Sequence, residues 1–438
     1  MAEPEDSRHI RIAIIGGGLA GTTVANALFR IPNLDVHVFE SAPKFSERGA
    51  AVGLSSNAQD ALKHIIPESD SLLQKAGAVP MNCTRLVLGS GPQAGTIIAN
   101  IGDSTGVVVH RASLLRELLS PLPSSLLHAN KKLSGIQESS PSEAGTGALP
   151  VSVRFEDGTA SDFDAVIGAD GIFSSVRAHV LRLPEGGGGS PDHEHAASPA
   201  GFWDCRVMIP YEKAKAALGE QYFDEDRQYG WIGDRAFVMH DIAESRTMVQ
   251  CVISAVEDEG EAPADRKRKL TREYLEDILK GWLGGPIGDG AIELVLDQED
   301  PHSYSQYDHK STPTYARGSV CIVGDAAHAT SPWQGAGAGQ AFEDAVILET
   351  LFRKVQSRRD IEAAFKAFDA VRRPRGQQVI DSSRGTGKIL TGSDEAVGLD
   401  PDKMRAALGP RWAFIMSLDL NEHKKEALQK MEEYQRQK

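Results

Sequence analysis

Residues 10–29, IRIAIIGGGLAGTTVANALF, set β-branched residues directly against a glycine cluster and a second apolar run. Ile10, Ile12, Ile14 and Ile15 predict a strand, and Ala25, Leu28 and Phe29 follow at helical spacing. The next segment, DVHVFE, alternates as a second strand and ends at Glu40, which completes a βαβ unit. Gly16, Gly18 and Gly21 form GxGxxG at the turn, and Glu40 stands nineteen residues after the last glycine. The glycines permit a tight turn and close approach of a pyrophosphate to backbone N–H groups, while the helix N-terminus adds positive potential. An acid at the end of the second strand suits ribose hydroxyls and disfavours a 2′-phosphate. These residues therefore predict a bound dinucleotide, FAD or NAD, without deciding between them.

A second stretch, GDAAHATSPWQGAGAGQAFEDA from Gly324, adds what the first lacks. Gly324 and Asp325 end the predicted strand SVCIVGDAA, at the sheet edge where doubly wound folds present ligand sites. A carboxylate there suits a sugar-alcohol chain such as the ribityl of FAD. After Pro332 the run QGAGAGQ strips side chains away, so that backbone N–H groups and the start of a helix near Gln340 face a flat ligand. That arrangement favours a ring that gains negative charge, as reduced flavin does.

The rest of the chain organises around these motifs. VSVRFEDGTASDFDAVIGADG gives a hairpin at Asp157-Gly158 and a buried strand from Ala165 to Ile167, and SSPSEAGTGALP before it reads as a linker. Residues 184–201, PEGGGGSPDHEHAASPAG, read as a flexible loop at a lobe crossing. From Phe202 to Asp300, strands such as FVMHDI and TMVQCVISA surround one charged helix, DRKRKLTREYLEDILKGWL, predicting a mostly antiparallel second lobe. The helical pattern resumes from Gln340 to about Val379, and the final forty residues predict one further helix.

Composition bounds the function classes. At 438 residues the chain exceeds the roughly 250 to 300 at which a single core stops growing, so two lobes are expected. With 47 Lys plus Arg against 61 Asp plus Glu, the net charge of −14 argues against nucleic acid or an anionic membrane as partner. The short clusters Arg266 to Lys269 and Arg372 to Arg375 read as solvated helix faces. Cys83, Cys205, Cys251 and Cys321 are isolated and form no CxxC, which predicts reduced thiols and a cytoplasmic chain. No HExxH or CxxC appears, and no GxSxG stands in the strand-turn-helix context of a nucleophile elbow, so neither a metal site nor a Ser-His-Asp site is expected. No apolar run approaches the 18 or so residues of a membrane span.

GxGxxG, VHRASLLREL, GADGIFSSVR at 168–177 and the 324–345 stretch, in that order, resemble the single-component (group A) flavoprotein aromatic hydroxylases. The likeness covers nearly the whole chain and is strongest to the salicylate hydroxylase-like branch, including fungal phenol monooxygenases of polyketide pathways. It implies an α/β fold: a Rossmann-like FAD-binding domain of the p-hydroxybenzoate hydroxylase (PHBH) type, a mixed, mostly antiparallel substrate-domain sheet, and C-terminal helices. The expected division is 1–185 for the first part of the FAD domain, with substrate-lobe strands inserted near 75–110. Residues 202–300 would form the substrate domain, 301–380 the second FAD part and 381–438 a helical tail.

The resemblance also implies roles. Glu40 would bind the adenosine ribose, Gly53 would line the flavin, and Arg111 would reach the diphosphate-ribityl region. Asp325 would hold the ribityl and Ala338 the pyrimidine edge, with Gly337 also among the cofactor-binding residues. Asp170 and Arg177 would lie near the cofactor and the path of a transient NADPH or NADH. Two departures stand out: Ala51, Ser55 and Ser56 replace the usual glycine and prolines, and Trp333 stands where many relatives carry His.

The implied reaction reduces FAD, adds O2 to form a C4a-hydroperoxide, and hydroxylates a phenolic acid or polyketide-derived phenol, with or without decarboxylation or dearomatisation. GFWDCRVMIP resembles the strand that carries a substrate-facing arginine in fungal members, which makes Arg206 the candidate for holding a phenolate or carboxylate through its planar fork. His240 in FVMHDI is the candidate proton relay, whereas His328 reads as structural. The expected partners are a small aromatic substrate and O2, with the protein a monomer or homodimer. The rivals are an FAD halogenase, whose WxWxIP signature is missing from GWIGD, and a flavin-binding regulatory protein without turnover.

Overall fold

The computed structural model describes residues 9–46, 50–102, 106–138, 151–183, 194–260, 262–263 and 265–437. The linker expected at 139–150, and the larger part of the loop expected at 184–201, lie outside the described residues.

The opening motif builds the centre of a six-stranded sheet. Ile10–Ile15 pairs in parallel with Leu34–Phe39 on one side and with Ala165–Gly168 on the other. Val320–Ile322 and the antiparallel Ala316–Arg317 extend the Ala165–Gly168 side, and Leu127–His128 closes the Leu34–Phe39 side. Strands covered on both faces read as continuous apolar runs, and Ile12, Ala13 and Ile14 are fully buried here. One covering layer is helix Leu19–Leu28, packed against helix Gly337–Phe352. A small antiparallel meander, Leu133–Glu138, Val151–Phe155 and Ala160–Phe163, carries the expected hairpin, with Gly158 at φ +82° in its turn. This lobe is the expected Rossmann-like α/β arrangement.

The second lobe is an eight-stranded sheet, antiparallel except for one pair. Its order is Lys267–Lys269, His302–His309, Ala197–Pro210, Met248–Val256, Ala236–Ala243, Gln228–Gly233, Thr84–Leu88 and Ile97–Ile101. Thr84–Leu88 arrives from the first part of the chain and pairs in parallel with Gln228–Gly233. The central strands, Ala197–Pro210, Met248–Val256, Ala236–Ala243 and Gln228–Gly233, show one face to a core of Trp203, Trp231, Trp282 and aliphatic residues, and the other toward the nucleotide lobe.

Several local expectations fail, each for a packing reason. The strand expected from Phe202 starts at Ala197, because pairing with His302–His309 draws residues 197–199 out of the expected loop. That same pairing places His302–His309 in the large sheet, beyond the expected limit of residue 300. The charged segment at 265–283 is not one helix. Lys267–Lys269 pairs as a sheet edge, Leu270 enters the core, and only then does the Thr271 hydroxyl accept the Tyr274 N–H to start helix Arg272–Ile278. The long helical run also breaks after Phe352, where a capping box of Ser357 and Asp360 restarts it as helix Ile361–Leu390. The final forty residues hold three helices, Pro401–Leu408, Ala413–Met416 and Leu420–Arg436, rather than one. No helix among the described residues is long and apolar enough to cross a membrane. All four cysteines are buried and unpaired.

Candidate active site

A cavity of about 910 Å³ lies between the two sheets. Of the residues expected at the site, Gly16, Gly18, Glu40, Gly53, Arg111, Asp170, Arg206, Asp325, Gly337 and Ala338 all line it. Gly21 and His240 are absent from the lining.

The nucleotide wall is mainly backbone. Gly16 sits at φ +108°, and a Cβ there would lie 2.2 Å from the Ala169 carbonyl oxygen. A Cβ on Gly21 would lie 1.9 Å from the Gly16 carbonyl oxygen, so Gly21 serves the packing of helix on turn. Glu40 leaves the second strand and accepts hydrogen bonds from the N–H groups of Gly17 (2.9 Å) and Ala42 (2.8 Å). Farther along, the glycines have open space: a Cβ at Gly53, Gly335 or Gly337 would meet nothing within 4 Å. Gly339 differs, since a Cβ there would press on Ala58 at 3.1 Å. The ladder is thus bare where it faces the cavity and tight where it faces protein. Bare backbone at Gly53, Gly335 and Gly337, with Glu40, Arg111 and Asp325 along the same cavity, fits FAD.

What holds that wall is a buried ionic cluster. Asp344 accepts the Gly324 N–H (2.9 Å), the His328 ring (2.7 Å) and Arg372 Nε (2.7 Å). Glu343 accepts from Arg372 (2.7 Å) and Arg375 (3.1 Å). Burial alone would raise Asp344, yet His328 and Arg372 beside it hold the carboxyl down at about 2. Arg372 and Arg375 are therefore not on a solvated face, as their sequence suggested, but are 0% and 8% exposed. His328 is structural, as expected. Arg177 is likewise buried, donating to the carbonyls of Ala326 and Ala327 at 3.1 Å rather than facing the cavity. Asp170 caps helix Ser175–Leu181, accepting the N–H groups of Ser175 (2.8 Å) and Val176 (3.2 Å) at the cavity edge.

The opposite wall comes from the large sheet, where side chains alternate between its two faces. Arg206, Gln228, Met239, Asp241, Gln250 and Val252 line the cavity. Arg206 grips Asp204 through Nη2 at 2.8 Å and Nε at 3.3 Å, and Asp204 also accepts from Gln306 at 3.2 Å. His240 has the other parity. It lies 1% exposed in the core, stacked on Tyr229 with centroids 5.1 Å apart and on Phe223 at 5.5 Å. Burial lowers it to about 3, so a neutral ring sits where a cavity-facing relay was expected. One residue on, Asp241 faces the cavity instead. It accepts Gln228 Nε2 at 2.7 Å and Gln250 Nε2 at 3.3 Å, and burial pushes its carboxyl up to about 6 against the pull of both amides and Arg206. Sequence reading missed this carboxyl, although strict alternation from His240 would have pointed to it.

Trp333 closes the apolar side of the cavity. It meets Phe202 edge-on at 4.9 Å and Phe237 at 5.7 Å, with Leu390 in the same cluster. At this position, where many relatives carry His, the indole therefore adds an apolar wall.

Comparison with known proteins agrees with this geometry. Residues 142–383 match the family described as FAD binding domain. The chain is 35% identical to a 6-methylsalicylate 1-monooxygenase of Aspergillus terreus, over 96% of this chain and 92% of that one. It is 30% identical to a salicylate hydroxylase of Pseudomonas putida, covering 94% and 93%. A solved salicylate hydroxylase in complex with substrate superposes with a TM-score of 0.78 at 24% identity, covering 96% and 98%, and so shares the fold. A halogenase or a flavin protein without turnover is not favoured by these relatives. The GxGxxG turn, the bare glycine helix entry and full-length identity to named hydroxylases together show that the chain belongs to the FAD-dependent aromatic monooxygenases.

Proposed function

We propose that the enzyme hydroxylates a phenolic acid of the salicylate type, with Arg206 as the residue that binds and charges the substrate. The observation that carries this reading is the placement of one guanidinium on the apolar-walled sheet face, across the cavity from the bare glycine backbone. FAD would be held by the backbone at Gly16 and Gly18, by Glu40 at the adenosine ribose, and by Arg111 and Asp325 along the diphosphate and ribityl. Gly53, Gly337 and Ala338 would lie against the ring, with Asp170 near the path of NAD(P)H. Bound FAD supplies the chemistry that passes reducing equivalents from NAD(P)H to O2 and one oxygen atom to the aromatic ring.

The chain's own residues do the rest. Arg206, anchored by Asp204, presents donors to a carboxylate or phenolate and stabilises the ionised ring, which is the electron-rich form that accepts oxygen. Phe237, Val252, Trp333 and Leu390 keep water from the reacting carbon, which strengthens that interaction and protects the oxidant. The catalytic role expected for His240 is withdrawn, because its ring faces the core.

The test is an oxidation assay on purified yellow protein with NADPH and NADH in air, across salicylate, 6-methylsalicylate and resorcylic acids. At least one should accelerate cofactor oxidation and yield a product that gains one oxygen, with or without loss of CO2. A yellow protein that no phenolic acid stimulates would overturn the substrate assignment while leaving the family intact.

A further inference from the structure

On the sheet side, the titratable groups lining the cavity among the described residues are Arg206 and Asp241. Arg206 carries charge in every relevant state, so it can hold an anion but cannot take a proton. Asp204 is committed to Arg206 and Gln306. Asp241 is differently placed. Its carboxylate rests between two amides, and Gln228 is itself fixed by the Thr84 hydroxyl at 2.7 Å. Gln250 gives its N–H to Asp241, which leaves its Oε1 buried without a hydrogen-bond partner although the residue lines the cavity and is 2% exposed. A buried acceptor left open is costly unless a ligand donor completes it.

We propose that Asp241, framed by Gln228 and Gln250, is the group that binds the substrate's hydroxyl and receives its phenolic proton. The proposal rests on the reading of the substrate as a phenolic acid. In the step, the phenol O–H bond breaks, the proton passes to the Asp241 carboxylate, and the electron pair stays on the phenolate oxygen, whose charge Arg206 counters. Burial supports this use: a carboxyl near 6 is ionised at neutral pH yet more basic than an ordinary aspartate. The charged groups facing it are Arg206 and, behind it, Asp204. The flanking strands otherwise offer the two amides, with the Cys251 thiol on the opposite sheet face.

The experiment titrates the FAD-loaded enzyme and its Asp241→Asn variant with benzoate, salicylate and 3-hydroxybenzoate, following the perturbation of flavin absorbance. Wild type should bind the better hydroxybenzoate about tenfold more tightly than benzoate, as expected for a hydrogen bond to a charged group. Asp241→Asn should keep its flavin and its benzoate affinity while the preference falls to about twofold or less. A variant that keeps the full preference overturns the proposal. If the variant loses its flavin, the wild-type preference decides: it should rise with pH through about 6, where Asp241 ionises, and a flat ratio overturns the proposal. Should wild type bind no hydroxybenzoate at all, the phenolic-acid reading falls, and this inference with it.

Discussion

The two walls of the cavity are built on opposite plans. The nucleotide wall is mainly backbone, and its largest parts come from two short stretches of neighbours in sequence, Gly16 to Ala20 and Thr330 to Ala338, to which Glu40, Gly53 and Arg111 are added. The substrate wall is side chain, assembled from Ala197–Pro210, Gln228–Gly233, Ala236–Ala243 and Met248–Val256, where strand parity decides which residue reaches the ligand. A backbone site tolerates little variation in residue type but needs no long-range register. A side-chain site on a sheet allows any residue, yet a shift of one position reverses its content.

That contrast can be broken most sharply at the glycines. Gly21→Val places a branched side chain where even a Cβ would lie 1.9 Å from a backbone oxygen. It should cost about 3 kcal/mol or more and abolish flavin retention, as read by melting and by bound FAD. Gly337→Leu probes the other kind of glycine, where a Cβ has open space. Its melting temperature without cofactor should stay near wild type while FAD affinity falls about tenfold, because the side chain fills the cavity rather than the protein. Equal losses of stability in the two variants would erase the distinction between packing and cradle glycines.

On the other wall, Arg206→Gln should retain flavin and lower kcat/KM about a hundredfold, on the order of 3 kcal/mol of transition-state stabilisation. Loss of flavin together with activity would mean that the wall is not specialised for substrate.

The smallest effect on turnover is expected from His240→Phe, which should leave kcat/KM unchanged because the ring lies behind the sheet. Its signature is instead in acid stability. The folded pKa of His240, about 3, lies below the ordinary value of 6.5, so the unfolded chain binds the additional proton between them. Stability from this residue is present above about 6.5 and is lost as pH falls toward 3. His309, also near 3, and His423, near 4, add in the same direction. His240→Phe should therefore flatten the fall in melting temperature on acidification. An unchanged acid profile, or a loss of turnover, would return His240 to the cavity side of the argument.

Legibility followed the same division. Gly16, Glu40, Asp325 and Gly337 were readable as lining positions because the βαβ unit and the glycine helix entry are local patterns with one physical purpose, whereas Gly53 came only through the family resemblance. The eight-stranded sheet was anticipated as a class, but the edge strand Lys267–Lys269 was read as helix, since a charged segment bordering a real helix looks helical until a partner strand claims it. Arg372 and Arg375 were read as solvated because two separated motifs, one basic and one the Glu343-Asp344 pair, show no mutual attraction until helices Gly337–Phe352 and Ile361–Leu390 pack together.

By itself, the sequence determined the nucleotide fold and the cofactor class, because close backbone approach demands glycine. Only the tertiary structure decided that His240 faces the core and Asp241 the cavity, since the two faces of a strand differ by what packs on them. Burial supplied the rest: it neutralised one ring, raised one carboxyl and locked Asp344 between His328 and Arg372. Those are properties of low-dielectric surroundings that no single stretch of chain contains.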